Sequence, residues 1–92
     1  MLDPGTFQVT CGQRSARLSR KEYDLLEMLM RNGGQILSKE QLLLKAWGYE
    51  SNAEDNNVEV YISFLRRKLE LVRSNMRIRT VRLVGYCLEE KE

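Results

Sequence analysis

One apolar stripe constrains this chain more than any other feature. Val58, Ile62, Leu65, Leu69 and Val72 share a narrow arc at the helical repeat of about 100° per residue. A helix with such a stripe is one-sided and needs a core to lie on. Asp55 and Asn56 are both good N-caps, and Ser74-Asn75 breaks the pattern. The spacing therefore predicts a helix from about Asn56 to Arg73. The chain has 92 residues, enough for one small core and too few for two. Residues 1–92 are accordingly read as a single domain.

The remaining elements follow from local signals. Phe7–Thr10 and Arg14–Leu18 read as two short strands around a turn at Gly12, which is free to take positive φ. Ser19 and Glu22 have capping-box spacing and start a helix with Leu25, Leu26, Leu29 and Met30 on its apolar face. Asn32-Gly33-Gly34 stops it. Gln35–Leu37 reads as an extended link. Ser38 and Gln41 repeat the capping box, and Leu42, Leu43, Ala46 and Trp47 make a second apolar stripe that ends at Gly48. The segment from Arg77 to Glu89 reads as a hairpin with Gly85 permitting its turn. The expected class is α+β: short N-terminal antiparallel strands, a three-helix core and a C-terminal β-hairpin.

Composition narrows the function classes. Apolar residues make up 42% of the chain, which suits a folded domain, yet no run is long enough to span a bilayer. Met1–Gly5 lacks a signal-peptide pattern, so the expected compartment is the cytoplasm. With no histidine and only Cys11 and Cys87, there is no metal-ligand constellation, and no metal or cofactor is expected. No nucleophile motif or phosphate loop is present, which argues against an enzyme. The net charge of +2 hides an asymmetry. Residues 50–59 hold four acidic side chains and no basic one, whereas residues 66–82 hold seven basic and one acidic, a balance of +6. Such a run suits a polyanion, although a solvated charged face gives the same pattern.

On the third helix, Asn56, Val60, Ser63 and Arg67 point away from the core stripe. Asn57, Phe64 and Lys68 lie on one flank, with Tyr61 nearer the core, and Glu59, Arg66 and Glu70 lie on the other. Amides, a hydroxyl, aromatics and cations together suit a major groove. Three readings fit Phe64: packing on thymine methyl groups, which we favour, packing under the hairpin, or a lone exposed aromatic of the ordinary kind. Arg82, near the hairpin tip, is placed to enter an adjacent minor groove. Arg77, Arg79 and Arg82 also fit ordinary edge-strand charge, and for Arg82 we favour the groove.

Leu18-Ser19, Glu22–Leu26, Ile36–Leu42, Ala46-Trp47-Gly48, NNVEVYISFLRRKLE at 56–70 and IRTVRLVGYCLE at 78–89 follow one another in a specific order and spacing. Together they resemble the effector domain of OmpR/PhoB-type two-component response regulators, over nearly the whole chain. The resemblance implies a winged helix-turn-helix fold, with the chain beginning inside an N-terminal sheet. It implies a recognition helix at about 56–73 in the major groove and a wing at about 77–89 over the minor groove of double-stranded DNA. Asn56, Asn57, Tyr61, Ser63, Phe64, Arg66 and Arg67 match recognition-helix contact positions. Trp47 and Gly48 match a phosphate contact, and Thr80 and Arg82 match wing contacts. The resemblance further implies a direct-repeat site, RNA polymerase contact through the 48–55 loop, and a phosphorylatable receiver domain in the full-length protein.

Several departures from that family alter the expected contacts. Asn56 and Phe64 stand where relatives often carry cations, and Tyr61 where they often carry histidine. Cys87 stands where a basic residue is common. Leu83 stands where they usually have glycine, and a leucine resists positive φ, so a reshaped wing tip is expected. A protein-interaction module anchored by Phe64 or the acidic loop is the competing reading, since a winged helix does not by itself settle function.

Overall fold

The computed structural model describes residues 2–48 and 55–90, with side chains of the third helix described from Val58 onward. Nine elements follow in order: β1 (Leu2–Asp3), β2 (Gln8–Cys11), β3 (Arg14–Arg17), α1 (Arg20–Arg31), β4 (Leu37–Ser38), α2 (Lys39–Trp47), α3 (Asp55–Leu71), β5 (Met76–Val81) and β6 (Gly85–Glu90). They form two three-stranded antiparallel sheets, ordered β1-β2-β3 and β4-β6-β5, around the three helices.

Both capping boxes form. The Ser19 Oγ accepts from the Glu22 amide at 3.2 Å, and the Glu22 Oε1 accepts from the Ser19 amide at 2.7 Å. Ser38 and Gln41 do the same at 3.1 and 2.8 Å. Each pair satisfies two backbone donors that a helix start otherwise leaves open. The stripe on α3 is buried along its whole length, from Val58 through Ile62, Leu65 and Leu69 to Val72 just beyond the helix. It packs on Leu25, Leu26 and Leu29 of α1, Leu42 and Ala46 of α2, and Ile78, Tyr86 and Leu88 of the hairpin. Each fully buried leucine or isoleucine contributes about 1.5–3 kcal/mol relative to exposure.

Five local expectations change. Leu37 and Ser38, read as the end of a link and a cap, form a strand paired with Tyr86 and Gly85. That pairing depends on a partner far along the chain. Leu2 and Asp3 add a strand to the N-terminal sheet, where the sequence suggested only two. Met30 is exposed rather than part of the α1 core face. The third helix ends at Leu71, and Arg73 beyond it takes φ +53°.

The wing turn differs most. Gly85 begins β6 and does not have the positive φ its turn role required. Glycine is needed there because a Cβ would overlap the carbonyl of Leu37 on the neighbouring strand. The positive φ falls on Leu83, at +65°, with its side chain 99% exposed. Leucine takes here the conformation it resists, at a cost of about 1–2 kcal/mol.

Candidate nucleic-acid interface

Burial of the stripe fixes which side of α3 faces outward. Val60, Ser63, Phe64 and Arg67 are all exposed. Phe64 is 40% exposed and Val60, one turn earlier, 47%. Phe64 has an aromatic neighbour on its own helix. Its ring meets the edge of Tyr61 at a centroid distance of 5.6 Å and an interplanar angle of 81°. Tyr61 in turn meets Trp47 of α2 at 5.3 Å and 69°. Lys21 of α1 donates to the carbonyl of Ala46 at 2.6 Å, and its ammonium stands 5.2 Å from the centre of the Trp47 ring. Three rings thus run from the end of α2 to the outer face of α3, and edge-to-face contacts of this kind stabilise by about 0.5–1.5 kcal/mol each beyond burial.

The cations divide into two groups. Arg66 is half-buried: its Nε donates to the carbonyl of Ile78 at 3.0 Å and its Nη2 to the Thr80 Oγ1 at 2.6 Å. Its guanidinium also lies 5.9 Å from the Tyr86 ring centre. Lys68 turns inward, donating to the carbonyl of Arg17 at 2.7 Å and to the Glu22 Oε1 at 2.8 Å. Arg77 and Arg79 both bind Glu89, at 2.9 and 3.1 Å. Burial pushes the Glu89 carboxyl up, but the hydrogen bonds and charges of the two arginines outweigh it and hold it below the usual carboxylate range. Arg67 and Arg82, by contrast, are exposed and have no hydrogen bond or ion pair among the described residues.

Between α3 and the wing lies a groove of about 380 Å³, lined by Lys39, Glu59, Arg66, Thr80, Arg82 and Tyr86 among others. Lys39 and Glu59 form an ion pair across its mouth. Burial pushes the Tyr86 phenol above its ordinary range, against the opposing charges of Lys39 and Arg66. Thr80 is anchored by Arg66, so the wing is fastened to the helix beside which it lies.

Of the residues singled out from the sequence, Tyr61, Phe64 and Trp47 come together in the ring series. Ser63 and Arg67 share the outer face, and Arg66 joins Thr80. Lys68 is drawn away from that face toward Glu22. The side chains of Asn56 and Asn57, and the segment from Tyr49 to Glu54, lie outside the described residues. The sequence reading did not single out Val60 as a contact, although its i, i+4 spacing from Phe64 marks one apolar patch. It also overlooked Lys21 and Lys39. Their positions, one helix away from the residues they touch, carry no local signal.

The fold is that of a winged-helix domain. Residues 12–88 match the family model described as transcriptional regulatory protein, C terminal, and the chain belongs to that family. It is 42% identical over 90 residues to the transcriptional regulatory protein DltR of Streptococcus agalactiae, covering 98% of this chain and 40% of that protein. It is 45% identical over 89 residues to the response regulator MprA of Mycobacterium avium, covering 97% and 39%. Among solved structures, the RstA DNA-binding domain of Klebsiella pneumoniae, in complex with the RstA box, superposes with a TM-score of 0.78 at 36% identity, covering 96% of this chain and 88% of that one. The chain thus spans about 40% of the length of the curated relatives it matches. By family it is the C-terminal effector domain of a transcriptional regulatory protein. No helix among the described residues is long and apolar enough to cross a membrane.

Proposed function

We propose that this domain binds double-stranded DNA sequence-specifically, with α3 in the major groove and the wing at the minor groove. The exposed Phe64, held edge-on by Tyr61 and flanked by Ser63 and Arg67, carries this reading. A fixed apolar ring beside a hydroxyl and an exposed guanidinium suits base edges next to phosphates. Phe64 packs on thymine methyl groups, Ser63 and Arg67 contact bases or phosphates, and Arg82 enters the minor groove. Trp47 and Gly48 contact phosphate at the end of α2, and the amides of Asn56 and Asn57 reach base edges. Arg66 orients Thr80 and the wing rather than clamping DNA alone, and Lys68 supports the helix from behind.

The solved RstA complex with its box supports the DNA docking mode by analogy. In the full-length cytoplasmic regulator, a phosphorylatable receiver domain places two copies on a direct repeat. The 48–55 loop, acidic over 50–55, meets RNA polymerase. Selection from a randomised duplex library, followed by titration at two salt concentrations, tests this proposal. The expected outcome is an A·T-containing motif with a steep salt slope. Phe64→Ala should relax base preference by about 1–3 kcal/mol at the contacted step. An unchanged preference in that variant sinks the thymine-methyl contact. Failure to enrich any duplex sinks sequence-specific reading and points to a protein partner.

A further inference from the structure

The apolar patch on α3 has a chemical consequence beyond A·T preference. Val60 and Phe64 stand one helical turn apart, both substantially exposed. Phe64 cannot fold back against the helix on its inner side, because Tyr61 occupies that side and is itself backed by Trp47. The patch is therefore preorganised. The surface it offers a base is hydrocarbon, with no donor or acceptor of its own.

Thymine and cytosine differ in two major-groove features: the C5 methyl group, and the exocyclic group at position 4, oxygen in one and an amine in the other. A carboxylate is the side chain suited to recognise the cytosine amine. On the described stretch of α3 ahead of Phe64 that carboxylate is Glu59, and it is ion-paired with Lys39. Val60 and Phe64 thus register a methyl group and are blind to the group at position 4.

We infer that this domain reads the C5 methyl group of a pyrimidine as such, so that 5-methylcytosine replaces thymine at the contacted step. Methylation of cytosine at C5 at that step then raises affinity and acts as a regulatory input to binding. The inference rests on the thymine-methyl reading of Phe64 proposed above and goes one step past it.

The test uses the 92-residue chain and the duplex obtained by selection. Each thymine in the major-groove footprint is replaced in turn by uracil, which removes only the methyl group. The same pair is then changed to cytosine·guanine and to 5-methylcytosine·guanine, and all are titrated. At one or two steps, uracil should weaken binding about fourfold, and 5-methylcytosine should bind about fourfold tighter than cytosine, the value of burying one methyl group. Both differences should vanish in Phe64→Ala. They should shrink in Val60→Ala, a milder change at an exposed position that keeps the test valid if the first variant folds poorly.

If uracil weakens binding and 5-methylcytosine brings no gain over cytosine, the methyl group is read only within a thymine·adenine pair. The inference is then overturned while the thymine-methyl contact stands. If uracil binds as well as thymine at every step, the contact itself is wrong and the inference falls with it. If no duplex is selected, both fall.

Discussion

The basic run from Arg66 to Arg82 contains two kinds of cation, on two sides of the recognition helix and its wing. On the inner side, Arg66 and Lys68 bind carbonyls, a hydroxyl and a buried carboxylate. Arg77 and Arg79 on the hairpin share Glu89. On the outer side, Arg67 and Arg82 face solvent with no ion pair among the described residues. The local balance of +6 in the sequence therefore overstates the charge turned toward a polyanion. Positive charge in this domain first fastens helix, wing and N-terminal sheet together, and the remainder is left for phosphates.

The largest effect that separates the two sides is expected from Lys68→Met. Glu22 is only 4% exposed, and its Oε2 has no hydrogen-bond partner among the described residues. Removing the ammonium leaves that carboxylate unpaired in the core. Breaking a buried pair costs about 3–5 kcal/mol, and the partly wet ammonium reduces this to about 2–3 kcal/mol. Urea denaturation should show that loss while the salt slope of DNA binding stays unchanged. A stable variant with a flattened slope would place Lys68 on the phosphate side instead.

Arg66→Ala comes next. Loss of its bonds to Ile78 and Thr80 should cost about 1–2 kcal/mol and increase hydrogen exchange in the wing. Equal exchange rates in variant and parent would break the assignment of Arg66 as the wing's fastening. Arg67→Ala should leave stability within about 0.5 kcal/mol. Its salt slope should fall by about 0.9, one phosphate contact, across all duplexes. A slope equal to that of the parent would remove Arg67 from the outer set.

The smallest effect is acidic. The Glu89 carboxyl titrates lower in the folded chain than in the unfolded one. Its stabilising contribution is therefore complete above the ordinary carboxyl range and disappears as pH falls through the lower folded value. In Glu89→Gln, this part of the fall in urea midpoint at low pH should be missing. An identical pH profile in the two proteins would show that the arginine pair is fully screened by solvent.

The parts of this domain that were legible in its sequence are those set by neighbours in the chain. The α3 stripe and both capping boxes involve residues three or four apart, and all appear as expected. Where a partner lies far away, the sequence carried little. Leu37 and Ser38 become a strand only because β6 arrives beside them. Lys68 turns inward because Glu22, 46 residues earlier, is buried beneath it. Val60 was passed over because a lone exposed valine is ordinary, and its meaning comes from Phe64 one turn on. Leu83 holds a conformation its type resists because intrinsic backbone preference is a weak prior against the pairing of β5 with β6 on either side of the turn. The choice of DNA contacts rested on position alone, which fixes a helix face and says nothing of which cations the fold itself uses.

The segment between α1 and α2 holds one more lesson, in its length. Gly34 donates its amide to the Leu88 carbonyl at 3.0 Å, Leu37 pairs with Tyr86, and Ser38 pairs with Gly85 while its hydroxyl caps α2. Three successive points of this connection are thus stitched to one strand of the hairpin. Inserting a single residue there would shift the strand by one position, turn Leu37 to the wrong face and pull the cap off its helix. Loops usually tolerate insertions. This one is locked in register, so homologues and engineered variants should vary in length at the tip near Leu83 and keep the spacing from Gly34 to Ser38 fixed.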